Sequence, residues 1–221
     1  MTLNTEKHRT ILFSIIQDIF NSNIWKYLAF KWWTACYFLY WLDRFSTDLD
    51  FDLLDKKQHI DQEVINIISQ YWNIKKWNKI ELSYWEDDIN IKIDISRKIW
   101  KNNQYEIVNF YGMPIKVQTK WTIFANKLVA FYERNTNRDI YDIYFFLKNS
   151  REINNWVITE RTWKTTNEIL LEIKNKLIKL PDNYKILDWL WEVLTQEQKN
   201  FTKNFLVKRL IWLIDMKTQF I

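Results

Sequence analysis

The segment from Lys31 to Leu54 constrains the fold more than any other stretch of this chain. Its sequence predicts a strand, a tight turn, a helix, a loop and a second strand, in that order. The acidic positions of the second strand are Asp48, Asp50 and Asp52, and its apolar positions are Leu49, Phe51 and Leu53. Because strand side chains alternate between faces, the apolar residues are expected to enter a core and the carboxylates to share the opposite face.

Three carboxylates on one face of a strand repel one another, and a bound cation removes that cost. Carboxylate oxygens are hard ligands that suit magnesium or manganese. A D-x-D-x-D strand therefore predicts a metal site. The same pattern is also typical of the solvated polar face of an edge strand, and at this point both interpretations stay open.

The chain contains 14 tryptophans and 1 glycine among 221 residues, whereas glycine averages about 7% of residues in soluble proteins. Turns and helix ends need glycine for left-handed backbone conformations. Trp41, Trp77 and Trp85 stand where a turn or helix end is predicted. We hypothesise that most of these tryptophans are glycine in the natural protein, since some bacteria read UGA as glycine while a common alternative translation renders it Trp. A genuinely Trp-rich protein is the alternative, and UGG codons in the coding DNA would establish it.

With glycine at positions 32 and 33, the segment reads K-G-G-T-A-C-Y-F-L-Y-G-L-D-R-F-S-T-D-L-D-F-D. In that form it resembles the nucleotidyltransferases of the AbiEii toxin family, within the polymerase-beta-like superfamily. The family signature is a Gly-Gly or Gly-Ser turn that opens a helix, followed by a D-x-D strand. Asp48 follows position 33 by 15 residues, and Ser46 precedes it as in the family. As written, the chain departs from the signature, because Trp32 and Trp33 would block a phosphate from the backbone of the turn.

A second segment, K-L-V-A-F-Y-E-R-N-T-N-R-D-I-Y-D, resembles another AbiEii signature: a helical lysine, an arginine, and then R-D-x-x-D. The matching residues are Lys127, Arg134, Arg138, Asp139 and Asp142. The resemblance implies that Lys127 is a cation for the triphosphate, and Lys127→Ala is expected to reduce transfer with a smaller effect on stability. For Lys127 the alternative is an ordinary surface lysine. For Asp139 the alternatives are a carboxylate that complements the helix dipole in the first turn and an ion pair with Arg134 or Arg138.

The region from Ile89 to Ser96 alternates isoleucine with polar residues and is expected to pair as a hairpin with the strand at 79–84. If this strand lies beside the D-x-D strand, Asp94 can join Asp48 and Asp50; otherwise it is an exposed acid. The fold class predicted is α/β (α+β): a small mixed β-sheet flanked by helices, with a helical C-terminal part. We expect a catalytic domain over 1–150 and packed helices over 151–221, with long helices at 160–179 and 195–217.

The bulk properties restrict the partners only loosely. The net charge of +5 suits a polyanionic partner, but it also suits general solubility. Four basic residues of the C-terminal part could hold RNA or form a solvated face: Lys199, Lys203, Lys208 and Arg209. With a single cysteine, Cys36, and no apolar run of 18 residues, we expect a reducing, cytoplasmic setting and no membrane partner.

The resemblance implies a nucleotidyltransferase whose nucleoside triphosphate lies with its phosphates at the turn of residues 32–34. The residues expected to contact the nucleotide are Trp32, Trp33, Thr34, Ser46, Lys127, Arg134, Asp139 and Asp142. Asp48 and Asp50 would hold Mg²⁺ (or Mn²⁺), and Asp94 would activate the acceptor hydroxyl or share a second ion.

The resemblance also implies the toxin of a type IV toxin–antitoxin or abortive phage infection system, with a cognate antitoxin as partner. The acceptor would be an RNA, tRNA included, or a protein hydroxyl. Two alternatives stay open. One is a small-molecule nucleotidyltransferase of the aminoglycoside-modifying kind, and the other is a catalytically dead binding module, which follows if Trp32 and Trp33 are genuine.

Overall fold

The chain forms two compact units, which we name the sheet unit and the helical unit. A computed structural model describes residues 3–71, 73–76, 80–83, 90–149 and 152–219. The sheet unit comprises Met1–Ile99 and Gln104–Thr119, and the helical unit comprises Trp100–Asn103 and Lys120–Ile221. This division differs from the expected boundary at residue 150, because the helices on both sides of that residue pack together in one unit.

The sheet unit is built on one mixed sheet. Its elements in the described residues are α1 (Thr5–Asn21), β1 (Leu28–Lys31), α2 (Trp32–Leu39), β2 (Leu49–Leu53), α3 (Asp61–Ile68), β3 (Asn73–Lys76), β4 (Ile80–Ser83), β5 (Ile91–Ser96), β6 (Tyr105–Phe110) and β7 (Met113–Gln118). The strand order is β3-β4-β5-β2-β1-β7-β6. The β1–β7 and β2–β5 pairs are parallel and the other pairs are antiparallel. β2 therefore lies in the interior of the sheet, which excludes the edge-strand interpretation.

The core of the sheet unit follows from the two periodicities in the sequence. On β2, Leu49, Phe51 and Leu53 are fully buried, as the alternation predicts. Helix α1 buries a stripe of apolar residues at helical spacing and contacts α3 and β7. The rings of Phe30 and Phe51 lie 5.4 Å apart between neighbouring strands. Burying these side chains gives the unit its hydrophobic stabilisation and fixes the register of β2.

The helical unit contains α4 (Lys120–Arg134), α5 (Asn137–Asn149), α6 (Asn155–Thr162), α7 (Thr166–Ile178), α8 (Gln196–Asn204) and α9 (Leu206–Gln219). Helix α4 contacts α5, α6 and α7, while α9 contacts α5, α7 and α8. The rings of Phe124 and Phe146 stack with their centroids 4.8 Å apart. None of the helices among the described residues is both long enough and apolar enough to cross a membrane.

The two long C-terminal helices expected from the sequence are wrong as single elements. The first is divided between α6 and α7, because Trp163 ends α6 in the left-handed conformation and Thr165 opens α7 with a capping box. The second is divided at Phe205 between α8 and α9. The hairpin of β4 and β5 is confirmed. The expected turns at Trp77 and Trp85 lie outside the described residues.

Candidate active site

The acidic positions predicted on two separate strands come together in the middle of the sheet. β2 and β5 run parallel, and Asp50 lies in register with Asp94. Residues in register on neighbouring strands point to the same face, so these two half-buried carboxylates lie side by side. Asp48 is also half-buried and directly precedes β2. The placement of Asp94 beside the D-x-D strand, on which its predicted role depended, is therefore present.

The turn between β1 and α2 is tied to the segment that precedes Asp48. Lys31 ends β1 and α2 begins at the next residue. The Thr34 hydroxyl lies 2.8 Å from the Ser46 hydroxyl and donates a hydrogen bond to the backbone carbonyl of Asp48. The first N–H groups of a helix have no partner within the helix, and they form an anion site. Thr34 and Ser46 are buried and bonded to each other, so they hold the turn in place.

The backbone at the turn supports the glycine hypothesis. The non-glycine residues of positive φ in the described part of the chain are Trp32, Trp41, Tyr111, Asn135, Trp163 and Trp189. Four of these six are tryptophan. A left-handed conformation costs a residue with a Cβ about 1–2 kcal/mol, and glycine adopts it freely.

Trp41 illustrates the point at a helix end. It has a φ of 61°, and the N–H of Leu42 bonds to the carbonyl of Cys36 across it. Trp41 therefore occupies the position just past the helix end, where glycine is the usual left-handed residue. The indole of Trp41 is 88% exposed, so it gains little from packing. The same is true of Trp163 and Trp189, which are 90% and 82% exposed.

The third acid of the D-x-D-x-D strand has a different environment from the first two. Asp52 is 1% exposed, and its Oδ1 lies 2.7 Å from Nζ of Lys31. Its Oδ2 accepts hydrogen bonds from the Tyr105 hydroxyl at 2.8 Å and from Nε2 of Gln118 at 2.7 Å. The expectation that a cation must relieve three carboxylates is therefore wrong for Asp52, because Lys31 already compensates its charge. The carboxylates predicted from the sequence to hold a metal are Asp48, Asp50 and Asp94, and Asp52 is not one of them.

Sequence reasoning missed Lys31, Tyr105 and Gln118. The one local signal was a lysine that closes a short strand of otherwise apolar residues directly before the turn. Its partnership with Asp52 depends on the pairing of β1 with β2, which the spacing along the chain does not specify.

The residues of the second signature form a buried charge cluster within the helical unit. Nζ of Lys127 on α4 contacts Asp139 and lies 3.0 Å from Asp142, both on α5. Nε of Arg134 lies 3.0 Å from Oδ2 of Asp139. Lys127 is 2% exposed, so the interpretation as a surface lysine is wrong, while the ion pair of Asp139 with Arg134 is confirmed. Arg138 instead donates from Nε to the Trp189 carbonyl at 2.8 Å.

The electrostatics of this cluster favour fixed charges. Burial of the Asp139 carboxylate opposes its ionisation, but the Lys127 ammonium and the Arg134 guanidinium outweigh that effect and hold the pKa of Asp139 well below its usual range. Lys127→Ala would remove the ammonium that contacts both carboxylates and would leave Arg134 as the cation beside Asp139. The expectation that Lys127→Ala affects stability less than transfer stays a prediction, but burial of the pair favours a large loss of stability, since breaking a buried ion pair is strongly destabilising.

The donor chemistry at β2 and β5 suits a hard divalent cation. Carboxylate oxygens are the ligands that Mg²⁺ and Mn²⁺ prefer, and Mg²⁺ is usually held by one or two carboxylates plus substrate phosphates. Among the described residues, no group of three His, Cys, Asp or Glu side chains encloses a metal position by itself. The register that places Asp50 beside Asp94 and opposite Lys31, the residue before the helix-opening turn, nevertheless fits an ion shared with a bound phosphate.

Comparison with solved structures defines the class of fold. The chain is similar to a "putative nucleotidyltransferase" from Helicobacter pylori, with a TM-score of 0.63 and 19% identity over 99% of this chain and 96% of that chain. JHP933 from Helicobacter pylori matches with the same score and identity over 99% of this chain and 94% of its own. At this level of identity the likeness shows the fold alone. No curated protein matches the sequence.

The sequence itself identifies the family. The family model described as "Nucleotidyl transferase AbiEii toxin, Type IV TA system" matches residues 34–209, which is most of the chain. The chain therefore belongs to the AbiEii family of nucleotidyltransferase toxins. The resemblance stated from the two signatures, the mixed α/β fold class and the assignment as a nucleotidyltransferase are confirmed.

Proposed function

We propose that this toxin transfers a nucleotide from a nucleoside triphosphate to an acceptor hydroxyl at the face formed by β2 and β5. The observation that carries this proposal is the register of Asp50 with Asp94, beside a helix-opening turn that Thr34 ties to Ser46 and Asp48. Phosphoryl chemistry with a metal-bound nucleotide requires carboxylates and an anion-binding turn close together, and here they belong to neighbouring strands in the interior of the sheet.

Each group has a proposed task in the transfer. The amides at the start of α2 bind the phosphates, and Asp48 and Asp50 hold Mg²⁺ (or Mn²⁺). The metal, when bound, would stabilise charge on the attacking and leaving oxygens. Asp94 accepts the proton of the acceptor hydroxyl, whose oxygen attacks the α-phosphate while pyrophosphate leaves. The roles expected of Lys127, Arg134, Asp139 and Asp142 toward the nucleotide stay predictions.

The acceptor that we propose is an RNA, with tRNA included, and a protein hydroxyl is the second choice. The net charge of +5 supports a polyanionic acceptor. Membership of a type IV toxin–antitoxin family supports a cognate antitoxin as partner and a nucleoside triphosphate as substrate. We further propose a cytoplasmic role in abortive infection and phage defence.

The test is transfer of label from each of the four α-labelled nucleoside triphosphates to total RNA, with Mg²⁺ or Mn²⁺. We expect Asp48→Asn with Asp50→Asn to abolish transfer while the folded protein persists. Asp182→Asn serves as the matched control, because it neutralises an exposed carboxylate of the helical unit. Full transfer by the double variant would overturn the proposed site.

A catalytically dead binding module is the second candidate, favoured by one observation. As written, Trp32 stands at the anion-binding turn with a φ of 60°, and Trp33 beside it is buried. Trp32→Gly with Trp33→Gly should bind nucleotide, and the chain as written should bind it weakly. Equal affinity of the two forms would show that phosphates do not lie at this turn.

A further inference from the structure

A row of polar side chains crosses five neighbouring strands of the sheet. In register, β6 contributes Tyr105, β7 Gln118, β1 Lys31, β2 Asp50 and β5 Asp94. Lys31 thus stands directly opposite Asp50 on the antiparallel neighbour strand. One end of the row carries the carboxylates of the proposed metal site. The other end carries uncharged hydrogen-bond donors, with a single lysine between the two.

Although Lys31 stands opposite Asp50, its ion-pair partner is Asp52, two residues further along β2. Oδ1 of Asp52 accepts a hydrogen bond from Nζ of Lys31 at 2.7 Å. Oδ2 of Asp52 accepts hydrogen bonds from the Tyr105 hydroxyl and the Gln118 amide. Lys31 and Asp52 are 7% and 1% exposed. The pair has no net charge, so it adds nothing to the total charge available for a cation at Asp50 and Asp94. The pair also fixes the position of Lys31, and with it the start of the backbone turn that follows.

The turn proposed to bind phosphate begins at the residue after Lys31 and is anchored on both sides. Before the turn, the Lys31 side chain is fixed to Asp52 on β2. After the first residues of α2, the Thr34 hydroxyl is fixed to Ser46 and to the backbone of Asp48. Both anchors reach the chain that carries the D-x-D acids. Only four residues, 31–34, span the two anchors, so there is little slack between them.

We propose that Lys31 is a positioning residue, which acts through Asp52 to hold the phosphate turn at a fixed distance from the D-x-D strand. This inference rests on the proposed function and names residues that neither family signature brings to the reaction. In-line attack requires the α-phosphate and the metal-bound oxygens in one geometry, and misplacement by about 1 Å costs on the order of a hundredfold in rate. Lys31 and Asp52 supply that fixed geometry, with Tyr105 and Gln118 orienting Asp52.

A purely structural ion pair is the competing account, and a double substitution separates the two. Replacing both partners of a buried pair by apolar residues of similar size is often neutral or stabilising. Lys31→Met with Asp52→Leu should therefore retain the fold and the net charge while removing the anchor. A structural pair predicts recovery of every property in this variant. A positioning pair predicts recovery of stability alone.

The experiment compares this double variant with its parent, both carrying Trp32→Gly and Trp33→Gly. The readouts are melting temperature, KM and kcat for label transfer, and hydrogen exchange of the backbone amides at 35–38, which are the first in α2 with partners within the helix. We expect a melting temperature near that of the parent, a kcat for label transfer lowered roughly tenfold or more, and faster amide exchange confined to the start of α2. Lys174→Met with Asp215→Leu is the matched control, since it removes a half-buried pair between α7 and α9 and should change none of the three.

Unchanged kcat and unchanged exchange at the start of α2 would overturn the inference. If the double variant does not fold, Asp52→Asn replaces it, because it keeps the shape and removes the charge that holds Lys31. Failure of the proposed function appears differently: the parent transfers no label, or Asp48→Asn with Asp50→Asn leaves transfer intact. The exchange measurement needs no activity, so it tests in either case whether Lys31 and Asp52 anchor the start of α2.

Discussion

The two units each bury a lysine, but they compensate its charge in different ways. In the sheet unit, Lys31 has one carboxylate partner, Asp52, which two uncharged donors also bind. In the helical unit, Lys127 has two carboxylate partners, and Arg134 supplies a second cation to Asp139. The first arrangement can lose a charge and still have hydrogen bonds. The second loses most of its compensation when Lys127 is removed.

The comparison shows that residues of a family signature can stabilise the fold, so their place in a signature does not by itself assign them to the reaction. Lys127, Asp139 and Asp142 belong to the second signature, and all three are buried in mutual contact between α4 and α5. Loss of activity on mutating Lys127 would therefore not establish a contact with nucleotide. Variants of the two clusters must be measured for stability as well as for transfer.

The largest effect is expected from Lys127→Met. This substitution keeps the apolar stem and leaves Asp139 and Asp142 buried without the cation between them. We expect a loss of about 3–5 kcal/mol in the free energy of unfolding, measured by urea denaturation at neutral pH. A loss below about 1 kcal/mol would show that the carboxylates gain water or protons at little cost.

Lys31→Met should lower the free energy of unfolding less than Lys127→Met does. Asp52 loses its cation but keeps the hydrogen bonds from Tyr105 and Gln118. We expect a loss of about 1–3 kcal/mol, since the carboxylate is left only partly compensated. Urea denaturation of both variants in one buffer provides the measurement. Equal losses for Lys31→Met and Lys127→Met would remove the distinction between the clusters.

The helical cluster should also give a distinct acid response. Lys127 and Arg134 hold the pKa of Asp139 below its unfolded value, so the folded state binds fewer protons at this site. The resulting stabilisation is fully present above the unfolded pKa of about 4 and is lost as the pH falls through the lower folded value. We expect stability to fall between about pH 4 and pH 2, measured by thermal unfolding. In Asp139→Asn this part of the slope should disappear, and an unchanged slope would contradict the assignment.

Strands that have a clear alternation of polar and apolar residues could be located from the sequence alone. The alternation of aspartate with apolar residues located β2, and the alternation of isoleucine with polar residues around Asp94 located β5. The two signatures were sufficient for the family because their residues keep fixed spacings. Strand β3 was not predicted. Neither was the break at Trp163, since a left-handed conformation cannot be read from a tryptophan.

Contacts between distant strands could not be predicted from the same patterns. The alternation of β2 assigned Asp52 to the polar face together with Asp50, and that assignment holds for the strand. What differs is the neighbour: β1 brings Lys31 to Asp52, whereas β5 brings Asp94 to Asp50. Residue spacing specifies which face a side chain occupies, but sheet order specifies which charge it meets there.

The smallest effect, and the one of opposite sign, is expected from Trp163→Gly. Trp163 caps α6 with a φ of 58° and is 90% exposed, so glycine would remove backbone strain and lose little packing. We expect a gain of about 1 kcal/mol in the free energy of unfolding, with the charge cluster of the helical unit untouched. Trp156→Gly is the control, because Trp156 is also exposed but lies within α6. There glycine should cost about 0.5–1 kcal/mol. Opposite signs at the two positions would support glycine at the left-handed sites of the natural protein, and a loss at both would count against it.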